Sequence, residues 1–159
     1  MPIYMKFGEI DGEVTVAGFE NWIEVNSFSW GLTNAIAVGG TGGAGAGKAS
    51  FQDIHFLTQV SQASPQILTT AASEKPIDTV EFDWIKGEAL QKGSGSFLKI
   101  KLEDVLVSSY QIGGAEDAND DRPSESIGLN FGKIEFDYAE PASGDVVQFI
   151  WDVRTNQGG

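Results

Sequence analysis

The stretch Gly39-Gly40-Thr41-Gly42-Gly43-Ala44-Gly45-Ala46-Gly47-Lys48, running straight into Ala49-Ser50-Phe51-Gln52-Asp53-Ile54-His55-Phe56, decides how this chain is read. Gly42 to Lys48 has the G-x-x-x-x-G-K spacing of a phosphate-binding loop. Such a loop needs a hydroxyl residue after its lysine to hold magnesium, and a helix whose N-terminus faces the phosphates. Position 49 is alanine and the residues after it alternate like a strand, so the nucleotide reading is set aside. What is left is a side-chain-poor arm between two strands, suited to lying against another protein.

Outward from the arm, period-two alternation dominates. Ile3, Met5 and Phe7 alternate with Tyr4 and Lys6; Val80, Phe82 and Trp84 make another run. Leu98, Ile100 and Leu102 lead into Val105-Leu106-Val107, and Val147, Phe149 and Trp151 close the series. Three runs change parity partway. Ile23 and Val25 are out of step with Phe28 and Trp30, Phe51 with Ile54, and the set Ile127, Leu129, Phe131 with Ile134, Phe136, Tyr138. One extra residue at each switch, a bulge, returns both halves to one face. Long strands that bend in this way turn the corners of a small barrel or tightly curved sandwich. Lys86 to Ser96, with Gly87, Gly93 and Gly95, reads as a hairpin connection.

One helix interrupts the strands. Ser64-Pro65 puts a hydroxyl at the N-cap and proline at the first helical position. Ile67, Leu68 and Ala71 form one apolar stripe, and Lys75-Pro76 marks the end. Leu57 to Ala63 is a candidate upstream extension. Two stretches are loops by composition: the arm, Thr33 to Lys48, and an acidic loop, Gly113 to Glu125, with Glu116, Asp117, Asp120, Asp121 and Glu125. Residues 154–159 read as a tail, frayed from Asn156 onward. The whole, 1–159, is one domain without an internal repeat.

The formal net charge is -13, from 23 acidic and 10 basic residues. That balance argues against nucleic acid and anionic membranes, whose recognition depends on Lys and Arg neutralising phosphates. With no cysteine there is no disulfide framework and no thiolate zinc site. The N-terminus, Met1-Pro2-Ile3-Tyr4-Met5-Lys6-Phe7-Gly8-Glu9, has no basic segment followed by an apolar one, so a general secretory signal is not expected. No run approaches the ~18 apolar residues of a membrane span.

Catalytic motifs are mostly missing from the sequence. Asp117-x-Asn119-x-Asp121 begins like a calcium loop, but Arg122 stands where glycine is needed and Gly128 where a bidentate glutamate is needed. His55, the only histidine, reads as a half-exposed strand residue; its alternative is a small β-barrel hydrolase in which it works with Asp53. Glu81/Asp83 and Glu135/Asp137 sit two apart on outward strand faces, as on a solvated sheet. A carbohydrate-binding module would need an exposed Trp22 or Trp84, and Trp84 aligns with the core-side Val80 and Phe82. No cofactor and no metal are implied, and the chain is read as a non-enzyme.

The series Ile23-Glu24-Val25-Asn26-Ser27-Phe28-Ser29-Trp30-Gly31, Gly45-Ala46-Gly47-Lys48 and Gln52-Asp53-Ile54-His55-Phe56 closely resembles the haemolysin-coregulated protein (Hcp) family, the tube proteins of bacterial type VI secretion systems. The likeness continues through Ser64-Pro65-Gln66-Ile67-Leu68, Asp104-Val105-Leu106-Val107-Ser108-Ser109-Tyr110 and Glu125-Ser126-Ile127-Gly128-Leu129-Asn130-Phe131-Gly132-Lys133-Ile134. It covers nearly the whole chain in colinear order.

The resemblance implies a mainly β fold: a tight β-barrel of two curved antiparallel sheets, one short flanking α-helix and a protruding Gly-rich loop. It implies homohexameric rings stacked into a tube, fired by a contractile sheath from a baseplate beneath a trimeric spike, with small effector proteins inside. The subunit would assemble in the bacterial cytoplasm and leave without a cleavable signal peptide, to the extracellular space or a target cell. Phage-like tail tubes and other contractile-injection tubes share the barrel and ring and are the alternative. On this reading Gly39, Gly40, Thr41, Gly42, Gly43, Gly45, Gly47 and Lys48 form an inter-ring stacking loop, mobile in a free domain and fixed against a neighbouring ring. Ser64, Gln66, Thr69 and Thr70 form a channel-facing helix surface.

Overall fold

Each alternating run forms strand in the computed structural model, which describes residues 1–34, 49–86, 95–114, 122–140 and 143–158. The order is β1 (Ile3–Phe7), β2 (Ile23–Val25), β3 (Ser27–Ser29), β4 (Leu32–Asn34), β5 (Ala49–Phe51), β6 (Ile54–Gln59) and α1 (Ser64–Ala72). Then follow β7 (Ile77–Ile85), β8 (Ser96–Gly113), β9 (Ser124–Ala139), β10 (Val146–Asp152) and β11 (Gln157–Gly158). All pairings are antiparallel. β1 lies between β2 and β7, and β8 joins β7 to β9. β9 carries β6 on its first half and β10 on its second. β3 pairs with β6, and only Asn26 separates it from β2, its N–H donating to the Leu57 carbonyl at 2.7 Å. The ladders therefore lead from β2 through β1, β7, β8, β9 and β6 back to β3, while β4 and β5 form a separate ribbon.

Alternation puts Met5, Phe7, Ile54, Phe56, Phe82 and Leu129 in one core, each fully buried. Phe82 meets Phe28 and Phe56 edge to face, at centroid separations of 5.0 and 5.5 Å. Burial of each such side chain stabilises the fold by about 1.5–3 kcal/mol. A smaller apolar cluster joins Phe19, Trp22 and Ile85 with Tyr4, Val14 and Val16, drawing the loop between β1 and β2 onto the sheet. Trp22 and Trp84 are both buried, so neither offers the flat exposed ring a sugar needs.

The three parity switches do return both halves to the core, but none by the simple bulge expected from sequence. At Asn26 the strand changes partner, from β1 to β6. At Gln52-Asp53 it breaks between β5 and β6. On β9 the switch between Phe131 and Ile134 is matched on β8 between Leu102 and Val105, so the pairs Leu102↔Ile134 and Val105↔Phe131 share one register. Asp104, at φ 54°, lies at this bend, with Gly132 in the same interval of β9. Both strands turn together, and a bulge would have displaced one against the other. The register shifts that do occur fall at Trp84/Ile85 and Val107/Ser109.

Two further expectations are corrected. Leu57 is not part of an extended helix: it lies on β6, hydrogen-bonded ladders on both sides pairing it with Ser27 and Ser126. The tail is not frayed at Asn156. Gln157 and Gly158 pair with Asp152 and Trp151, and Trp151 Nε1–H donates to Asn156 Oδ1 at 3.2 Å.

Candidate functional site

The base of the arm is an aromatic layer. Trp30 stacks near-parallel to Phe51 at 6.1 Å and contacts Phe131 at 6.3 Å; Phe51 in turn meets Trp151, which stacks on Phe149. A two-stranded ribbon is marginal alone in water, so β4–β5 depends on this layer and on the Gln52 N–H donating to the Gly31 carbonyl at 3.0 Å. Gly39, Gly40, Thr41, Gly42, Gly43, Gly45, Gly47 and Lys48 lie outside the described residues, as does the Asp117-x-Asn119-x-Asp121 stretch.

Ser64 does not cap α1. It is the first helical residue, buried, and its Oγ accepts the N–H of Ser61 at 2.9 Å, while Ser61 Oγ accepts the N–H of Ala63 at 3.2 Å. The preceding turn, 61–63, brings its own amides to these hydroxyls, so Ser64 points backward and inward and offers nothing outward. Gln66 and Thr69 are exposed and Thr70 is half-buried. Thr69 Oγ1 donates to the Pro65 carbonyl and Thr70 Oγ1 to that of Gln66, both at 2.9 Å. With those protons used inside the helix, the outward surface of α1 consists of methyl groups, hydroxyl lone pairs, the Gln66 amide and exposed Leu68. No residue of Ser64–Ala72 is charged.

Outward faces of the sheet differ in chemistry. Across β1, β7, β8 and β9 the registers place Lys6, Glu81, Lys101 and Glu135 in one row, and Tyr4, Asp83, Lys99 and Asp137 in the next. Glu103 and Lys133 pair in a third, and Lys101 Nζ lies 3.9 Å from Glu103 Oε1. The carboxylates singled out by spacing are thus interleaved with lysines, an arrangement that stabilises register by roughly 0.2–1 kcal/mol per pair. Beyond the bend, the row Ser29, His55, Gly128, Ser109 contains no lysine, arginine or carboxylate.

His55 is exposed, and Asp53 Oδ1 accepts a hydrogen bond from Asn130 Nδ2 at 3.0 Å. A Cβ on Gly128 would stand 2.5 Å from Ser109 Oγ, 2.9 Å from Ser108 Oγ and 3.0 Å from His55 Cε1, so glycine is what lets these three side chains close over the strand. Among the described residues no group of three His, Cys, Asp or Glu is placed to hold a metal ion.

One polar site escaped the sequence reading. Glu125, at 1% exposure, accepts from Thr58 Oγ1 at 3.0 Å on one oxygen and from the Tyr110 hydroxyl on the other. Burial first, then the hydrogen bond and the charge of Glu125, push the Tyr110 pKa above the usual phenol value. The signal was present: Glu125 shares parity with Ile127, Leu129 and Phe131, which marks it as inward. Beside it, the Arg122 guanidinium donates to Glu13, Gln59 and the Val60 carbonyl, and Glu13 also accepts the Gln62 N–H at 2.7 Å. This ties the turn before α1 to the start of β9. Among the described residues no helix is long and apolar enough to cross a membrane.

The family model described as type VI secretion system effector, Hcp, matches residues 4–138. Protein hcp1 of Pseudomonas aeruginosa is 29% identical over 163 residues, covering 97% of this chain and 96% of that protein. A solved type six secretion system protein superposes with a TM-score of 0.86 at 28% identity, over 99% of each chain. A type VI secretion system effector from Yersinia pestis has a TM-score of 0.76 at 27% identity, over 95% of this chain and 99% of its own.

Proposed function

This chain belongs to the Hcp family of type VI secretion proteins, and from that premise we propose that it is a structural, non-enzymatic tube subunit whose six-membered rings stack into a secreted conduit. The observation that carries the reading is the family match over residues 4–138. The ladder path from β2 around to β3 supports a barrel, in which the strand 23–29 closes the circuit through Asn26. Neighbouring subunits meet side to side through heterologous contacts, which close into a ring when the rotation permits.

Six copies carry about six times the charge of -13, so the interfaces must be large and apolar to hold. Stacking weakens at low salt, where repulsion is least screened. The arm, with six glycines between positions 39 and 47, loses more backbone entropy on ordering than any other segment, and contact with the next ring offsets that cost. Gln66, Thr69 and Thr70 present an uncharged surface to small effector proteins in the channel. Spike, sheath and baseplate are the remaining partners, and the subunit passes from the bacterial cytoplasm outward.

Sedimentation velocity at micromolar protein and physiological salt tests the ring directly. The expected species has about six times the 17.0 kDa of one chain; a stable monomer overturns the proposal. Replacing Gly39 to Gly47 with a two-residue turn should leave rings intact and abolish stacking. Shortened rings that stack like the parent would reduce the arm to a linker.

A further inference from the structure

Helix α1 is held to the sheet mainly at one end. Of its nine residues only Ser64 and Ile67 are buried, both in the first turn. Toward the other end a groove of about 870 Å³ lies between Thr70 and Lys75 on one wall and Gly8, Glu9, Asp11 and Asn21 on the other. A helix shorter than about 12–15 residues is marginal in water without tertiary support. The hydroxyls of Thr69, Thr70 and Ser73 bond back to carbonyls of α1 itself, so none of them reaches across to the sheet.

The support ahead of the helix comes from Glu13, which projects from a braced loop. There the Gly12 N–H donates to the Asn21 carbonyl at 2.7 Å, Val14 N–H to that of Trp22 at 3.1 Å, and Asn21 N–H to that of Val14 at 2.9 Å. A Cβ at Gly12 would stand 2.4 Å from the Trp22 carbonyl oxygen, so the two segments come this close only with glycine at that position. From this base Glu13 Oε2 accepts the Gln62 N–H at 2.7 Å, and the Gly12 carbonyl accepts Gln62 Nε2–H at 2.6 Å. Glu13 Oε1 lies 3.4 Å from the Arg122 guanidinium, which also donates to Gln59 and the Val60 carbonyl. Both charged side chains are about half exposed, so their ion pair is weak. The charge-assisted hydrogen bond to the Gln62 amide is the stronger hold.

We propose that Glu13 is a latch that positions α1. While it grips Gln62, two residues before the helix, the first turn stays docked through Ile67. Released, the turn 60–63 and α1 open together as one unit while the sheet stays closed. The latch works within one chain and stands whether or not tubes form; in the tube it fixes how Gln66, Thr69 and Thr70 are presented.

Amide hydrogen exchange of wild type, Glu13→Ala, Glu13→Gln and Glu9→Ala, at matched concentration and salt, is the test. Glu9 is exposed in the same loop and carries the same charge outside the grip. In Glu13→Ala the amides of 67–73 should exchange about tenfold faster or more, with those of Phe82, Ile100 and Leu102 unchanged. Glu13→Gln, which keeps an acceptor oxygen, should fall between Glu13→Ala and wild type, and Glu9→Ala should match wild type. Helix amides that exchange at the wild-type rate in Glu13→Ala overturn the latch. Equal acceleration of the sheet amides overturns it too, because the helix would then not open by itself, and so does an equal effect of Glu9→Ala. Should Glu13→Ala fail to fold, Glu13→Gln decides, and helix amides no faster than wild type refute the proposal. Every one of these outcomes leaves the tube reading where sedimentation puts it.

Discussion

On one side of Asp104 and Gly132 the β8–β9 pair turns lysines and carboxylates outward; on the other side the same two strands turn out serines, asparagine, glutamine and leucine. From Ser96 to Glu103 and from Lys133 to Ala139, charges of opposite sign face one another across the strands. From Val105 to Gly113 and from Ser124 to Phe131 the only charged residue is Glu125, and it is buried. The bend between them is spanned by Arg154, whose guanidinium reaches Asp104 Oδ2 at 2.7 Å and Asp152 Oδ2 at 3.5 Å. In the charged half lysines and carboxylates alternate across the strands, and at an exposed pair such as Lys101 and Glu103 the attraction is weak and screened. In the uncharged half the single carboxylate is answered by two hydroxyls out of water, where removing one partner is expensive. Few charges on a surface do not mean few strong electrostatic contacts beneath it.

The largest effect expected from that contrast is at Glu125. Glu125→Ala leaves the Thr58 and Tyr110 hydroxyls without their acceptor and should cost about 3 kcal/mol, since each hydrogen bond to a charged group contributes roughly 1.5–3 kcal/mol. Denaturant unfolding checks it; a loss below that of the surface variants would show that the buried carboxylate is not the anchor of this half. The same site has a pH signature. The Tyr110 pKa is raised in the folded protein, so the folded state keeps its proton where the unfolded chain, at the ordinary phenol value of 10.0, has lost it. That contribution is complete below the unfolded value and is lost as pH rises beyond it. Tyr110→Phe should therefore flatten the alkaline fall in stability; an unchanged fall would place its origin elsewhere.

Gly128→Ala tests how tightly the uncharged face is packed. Its new Cβ must displace Ser109, Ser108 and His55, and overpacking of this kind costs about 1–3 kcal/mol. At Gly132 the atoms met first are those of the Arg154 side chain, at 3.0 Å from Nε. That side chain is 59% exposed and can move aside, so Gly132→Ala should cost less than Gly128→Ala. Thermal melts of the two variants decide the order, and equal shifts would refute the distinction.

The smallest effect belongs to the charged half. Lys101→Glu sets three acids in the row Glu81, 101, Glu135 and should cost about 0.2–1 kcal/mol at low salt, less as salt rises. Stability that does not respond to salt would mean that the interleaved charges contribute nothing to register.

Legibility followed the range of the interaction concerned. Strand runs such as Ile3–Phe7 and Ile77–Ile85 could be read because alternation is written into consecutive residues. The helix after Ser64 was found from Pro65 and the Ile67 stripe, yet the cap assigned to Ser64 was wrong, because the turn before it supplies its own amides to that hydroxyl. Glu81, Glu135 and Asp137 are partly exposed, as a solvated face requires, but Asp83 is buried at 2% exposure against that expectation. The lysines that alternate with both pairs come from a strand that neither pair belongs to.

The sequence by itself determined which apolar runs form strands, where their parity changes, and, through a colinear resemblance, the family. Those properties are local or cumulative along the chain. Only the tertiary structure decided that Asp104 and Gly132 bend two strands together, that Gln157 and Gly158 join the sheet, and that Glu125 is held by Thr58 and Tyr110. Each of these depends on register between segments distant in sequence, and register is set by the summed packing of the whole core rather than by any residue's own preference.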